Sequence, residues 1–148
     1  MSSEDILKQA EIGQELSVLN SPFLINGRIT ITLEGGVDIV WIFSDDEKLL
    51  AVNATTDEMI LLSPVEDEID GDDEDVAYHG KQYEFSYEDN GMISEGEDGA
   101  NFDVGEKVSF KDFESEDGQV VRLINTSGVE DQLNYAGQAL LDDDIVMT

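Results

Sequence analysis

Apolar and polar residues alternate over Arg28-Ile29-Thr30-Ile31-Thr32-Leu33-Glu34, and alternate again where Val37, Ile39, Trp41 and Phe43 share one phase. A period of two confines these segments to strands, because only a pleated strand sends successive side chains to opposite faces. Residues 48–53, 58–62, 82–88, 106–113, 119–125 and 132–141 extend the pattern, each bounded by Gly, Asn, Asp or Ser. Many short strands at this spacing predict an all-β fold, an antiparallel sandwich or a barrel-like sheet. Trp41 sits in phase with its apolar neighbours and is expected in the core, as are Tyr83, Phe85 and Tyr87, which form an aromatic stripe on one strand face. A short helix is expected over residues 3–12, capped by Ser2 or Ser3, with Glu4 and Asp5 in its first turn and Gly13 at its end.

The connections carry their own chemistry. Gly35-Gly36 separates the first two strands, and Asn26-Gly27 and Asn90-Gly91 are predicted hairpin tips, since Asn-Gly adopts the positive φ that a two-residue turn demands. The second of these lies in a stretch resembling a calcium-binding loop. With Ser86 as its first position, Glu88, Asn90, Gly91, Ile93 and Glu97 fall at ligand or turn positions. Ser86 removes a charged ligand, however, and the residues before it alternate as a strand, so the stretch is expected to turn the chain and bind no metal.

Charge narrows the function. The 148 residues hold 36 Asp and Glu against 7 Lys and Arg, a net charge of −29, yet 40% are hydrophobic, which calls for a folded core. Such a surface repels phosphate, so direct nucleic-acid or anionic-membrane binding is not expected. With no cysteine and no basic, apolar leader, a cytoplasmic setting is expected. Glu66, Asp67, Glu68, Asp70, Asp72, Asp73, Glu74 and Asp75 crowd one segment broken by Gly71, which is expected to be an exposed loop. It divides the chain: residues 1–12 are a helix or tail, and 13–147 a single β domain whose halves, 13–63 and 77–147, are joined by the acidic loop 64–76. The halves look related, 27–35 resembling 80–88 and 49–53 resembling 120–125.

Catalytic signals are sparse. His79 is the single histidine and is expected to be a polar turn residue, and no nucleophile elbow, phosphate loop or dinucleotide fingerprint occurs. Further carboxylate clusters, at residues 45–47, 95–98, 114–117 and 142–144, fall in predicted turns and have a solvated surface as their first explanation. No enzyme activity and no cofactor are expected. The acidic loops are expected to serve a non-catalytic interaction or accessory module facing a cationic protein; the alternatives are divalent-cation binding by those loops, or imitation of nucleic acid toward a basic protein.

Tyr78-His79-Gly80-Lys81-Gln82-Tyr83, Gly91, the run from Gly105 to Phe113, Asp117-Gly118 before Val120-Val121, Tyr135 and Gly137 together resemble an uncharacterised bacterial family, number 4178 in the domain-of-unknown-function series. Gly27-Arg28, Trp41, Leu50-Ala51-Val52 and residues 58–62 extend the likeness into the first half. Val40 and Ile124 stand where that family tends to carry Glu. The resemblance implies a β-rich fold and brings no activity, cofactor or catalytic residue.

Overall fold

The computed structural model describes residues 1–71, 74–97 and 102–147. The single α-helix among them, α1 (Ser3–Gln9), starts at a capping box: Ser2 Oγ accepts from the Asp5 amide and the Asp5 carboxylate accepts from the Ser2 amide. It ends earlier than the expected residue 12. Arg28 donates to the carbonyls of Leu7 and Ala10 at 3.2 and 2.8 Å, occupying acceptors a further turn would need. Gly13, at φ +94°, belongs to the turn that follows. No helix of the described residues is long and apolar enough to cross a membrane.

The strands are β1 (Glu15–Val18), β2 (Ser21–Leu33), β3 (Asp38–Ser44), β4 (Leu49–Asn53), β5 (Glu58–Val65), β6 (Asp75–Tyr78), β7 (Lys81–Glu97), β8 (Lys107–Glu114), β9 (Gln119–Thr126), β10 (Val129–Ala139) and β11 (Ile145–Met147). All pairings are antiparallel. Among the described residues, eight strands close on themselves in the order β2-β3-β4-β5-β10-β9-β8-β7, with β7 returning to β2. Of the two expected architectures the fold is therefore the barrel. β1 and β11 extend the sheet beside β2, and β6 does so beside β7.

The two halves are built alike. Each begins with a hairpin, β1–β2 or β6–β7, whose turn residues both take positive φ: Leu19 and Asn20 at 52° and 63°, His79 and Gly80 at 49° and 74°. Each then runs through a long strand and a three-stranded meander. Each long strand carries an extra residue at the same place after its hairpin, Asn26 in β2 and Ser86 in β7. The bulge changes the face that the strand presents. Phe23 and Ile25 join a cluster outside the barrel, whereas Ile29, Ile31 and Leu33 point inward. Likewise Tyr83 and Phe85 lie outside, Phe85 edge-on to Phe113, while Tyr87 packs inside against Phe110. The expected aromatic stripe is thus split between two faces, and Phe85 remains partly exposed.

The expected hairpin tips do not form. Asn26-Gly27 and Asn90-Gly91 both lie within continuous strands. Gly91 sits where β7 is flanked on both sides, opposite Val108 of β8 and Leu33 of β2, and a Cβ there would stand 2.5 Å from the Thr32 carbonyl oxygen. The glycine is needed for close approach and not for a turn. The likeness of 27–35 to 80–88 is also out of register, since Gly80 takes the place of Asn20 in its hairpin, while 49–53 and 119–126 do correspond as β4 and β9.

Trp41 is fully buried at the centre of the barrel, edge-on to Phe102 and Phe110 at 5.6 Å. Both faces of β3 are buried because α1, β1 and the start of β2 cover its outward Val40 and Ile42. The corresponding outer cluster of the second half gathers Val76, Tyr83, Phe113, Val121 and Leu123. Replacing Gly91 by Ala forces Cβ against backbone at the β2–β7 junction and is expected to cost about 1–3 kcal/mol in urea unfolding. Gly35→Ala, in open space, should change stability by less than about 0.5 kcal/mol.

Candidate functional site

The acidic segment lies against the outer wall of the second half. Its side chain Ile69 is 8% exposed and joins the cluster of Val76, Tyr83 and Phe113, so the run is not wholly solvated as expected. Its backbone is held as well: Asn134 Nδ2 donates to the Asp67 carbonyl at 2.9 Å, Gln132 Nε2 to the Ile69 carbonyl at 2.8 Å, and Lys111 Nζ to the Gly71 carbonyl at 3.3 Å. The Phe85 amide donates to the Glu74 carbonyl at 2.8 Å. These anchors fix the main chain and leave Glu66, Asp67, Glu68, Asp70, Glu74 and Asp75 exposed. Asp72 and Asp73 lie outside the described residues, and Asp75 is the first residue of β6. His79 is an exposed turn residue, as expected, stacked on Tyr78 and 3.6 Å from the Asp67 carboxylate.

On the opposite face of the same sheet, three carboxylates meet in register. Asp75 is paired with Glu84 across β6–β7, and Glu84 with Glu114 across β7–β8. Like charges directly opposed on neighbouring strands, about 4.8 Å apart between strands, are destabilising. Glu84 and Glu114, with Glu116, border a groove of about 810 Å³, where Lys81 is held by Asp117 at 2.6 Å. The remaining clusters stay local. Asp46 accepts from Ser44 and faces Lys48 at 3.5 Å, and Glu95 to Glu97 continue β7 instead of turning, Asp98 being outside the described residues. Residues 142–144 form a 3₁₀ turn, and the amino group of Met1 donates to the Asp142 carbonyl at 2.6 Å. No group of three or more ligating side chains among the described residues is placed to hold a metal ion. The stretch from Ser86 to Glu97 is a strand and encircles nothing.

The chain places one charged pair inside the barrel. Arg122 is 2% exposed and donates through Nε and Nη2 to both oxygens of Asp112, at 2.6 and 2.7 Å, directly across β8–β9. Its guanidinium also lies 4.6 Å from the centre of the Phe110 ring. Burial alone would lower the proton affinity of Arg122, but the adjacent Asp112 carboxylate raises it above the ordinary value. Burial pushes the Tyr87 phenol well above its usual range, with Arg122 opposing. The part-buried Glu58 is likewise raised by burial; Arg122 opposes and Asp112 and Glu114 add to it. With two fully donated hydrogen bonds and no opening to solvent, Arg122 and Asp112 hold the interior together and are not placed to touch a ligand. Sequence reasoning missed this pair. Its signal was a charge in the inward phase on two neighbouring strands, Asp112 after Phe110 and Arg122 between Val120 and Ile124.

Arg122→Met leaves Asp112 buried without its cation and should cost about 3–5 kcal/mol in urea unfolding, most of it recovered when Asp112→Leu is added. For Glu58, the folded chain holds its proton more tightly than the unfolded chain, so stability is lost as pH rises from the ordinary carboxyl value of 4.5 through the raised folded value. Glu58→Gln should therefore melt higher than wild type at neutral pH, and the difference should vanish on acidification, in melts between about pH 4 and pH 8.

Comparison of the chain with protein-family models, with curated proteins and with solved structures finds no match.

Proposed function

We propose that this protein is a non-catalytic binding module whose ordered acidic surface takes up a cationic protein. The observation that carries this reading is the anchoring of the acidic segment by its own carbonyls, to Asn134, Gln132 and Lys111, which holds the chain while its carboxylates point to solvent. A tethered anionic surface loses little conformational entropy on binding, whereas a free acidic tail would lose much. On the other face of the sheet the opposed Asp75, Glu84 and Glu114 favour a cation too, because a cation between them relieves a repulsion the free protein bears.

The chain has little cation of its own to spend there. Arg122 is paired with Asp112, Lys81 with Asp117 and Lys48 with Asp46, Arg28 is held by α1, and Lys111 by the Gly71 carbonyl. Long-range attraction would speed encounter with a basic partner and would fade as salt screens it. The test uses a lysine- and arginine-rich peptide and calorimetry across salt concentrations. Wild type is expected to bind, more weakly as salt rises. Glu66→Gln, Glu68→Gln and Glu74→Gln together remove three exposed charges without touching the backbone anchors. At up to about 1 kcal/mol per exposed charge, they should weaken binding on the order of tenfold or more. Unchanged affinity in the triple variant, with its fold intact, would refute the reading.

A further inference from the structure

We infer that the outer wall at the β2–β7 seam is a contact surface for a second copy of this chain. The outer faces of the two meanders are covered, one by α1, β1 and the start of β2, the other by β6 and the acidic segment. The wall between them is left bare where β2, β7, β8 and β9 run side by side. It forms a groove of about 550 Å³ whose walls are mostly apolar surface with uncharged polar groups, among them Thr32, Asn90, Ser109 and Asn125. Met92 projects from it, 47% exposed, a flexible apolar side chain suited to filling an irregular contact.

The charges at this groove select the occupant. Two bodies of net charge −29 repel at every acidic surface, so they can meet only where carboxylates are sparse. Here one acid and one base line the groove, Glu34 and Lys107, and neither has an ion-pair partner among the described residues. A two-fold contact brings any residue i against j and j against i. Such a contact sets Lys107 of each copy against Glu34 of the other and forms two ion pairs from groups that have none among the described residues. Met92 of each copy then enters the groove of its neighbour. Salt acts on this contact in the opposite sense to the binding of a basic partner. Screening weakens the general repulsion of the two copies over about 8–10 Å more than it weakens two close pairs, so association should tighten as salt rises from very low values.

Charge reversal tests the contact. Sedimentation velocity at about 100 μM protein, where a micromolar contact is populated, should give twice the chain mass of 16.3 kDa for wild type. Lys107→Glu and Glu34→Lys should each sediment as single chains, and the double variant, with the charges exchanged, should regain the dimer. Met92→Glu should also be a single chain, and circular-dichroism melts of every variant should match wild type. A wild type that stays a single chain at moderate salt would overturn the inference, as would single reversals that keep the dimer or a double variant that fails to restore it.

Discussion

The pairing of β2 with β7 is the interaction on which the remaining structure depends. Each half of the chain makes an antiparallel meander, and a meander alone leaves its first strand with an unpaired edge. Here the two first strands pair with each other and the two last strands, β5 and β10, do the same. Among the described residues no barrel strand is left with a bare edge along the barrel wall, and the inner core is enclosed between strands of both halves. Closure requires β7 to pass from β8 to β2 within one strand, and Gly91 is the residue that lets the two backbones come close enough.

The bulges at Asn26 and Ser86 supply the second requirement. A strand in strict alternation would send Phe23, Ile25, Ile29 and Ile31 to one face, yet the fold needs the first two outside and the last two inside. One extra residue in each long strand meets that need, and it does so at the same place in each half. Local sequence conveys the periodicity and so the strands, including the inward set of Ile39, Trp41 and Phe43. It does not convey the bulges: Asn26-Gly27 has the same local chemistry in a hairpin tip and in a bulge, and Ser86 between Phe85 and Tyr87 carries no turn chemistry at all. Which one forms is decided by what lies across the sheet, many residues away, and an isolated dipeptide carries no record of it.

Charge is sorted by the same architecture. The inward Arg122 and Asp112 hold each other by two hydrogen bonds, and most of the acidic excess is left to the outer surface. The exposure of the acidic segment was evident from composition. Its anchoring was not, since it depends on Ile69 finding the outer cluster and on Asn134, Gln132 and Lys111 reaching carbonyls far away in the chain. That anchoring fixes the main chain beneath exposed carboxylates, as a free acidic tail would not be fixed. The bare seam was equally hidden, because Met92 and Lys107 lie on β7 and β8 and Glu34 in the turn after β2, which only closure brings beside them.

Amide hydrogen exchange along the β2–β7 seam tests closure most directly. In a closed barrel, the β2 amides directed at β7 exchange as slowly as amides in the middle of either meander, such as those between β3 and β4. Exchange at the seam as fast as on the free edge of β6 would mean two separate sheets, and would contradict the barrel together with everything built on it.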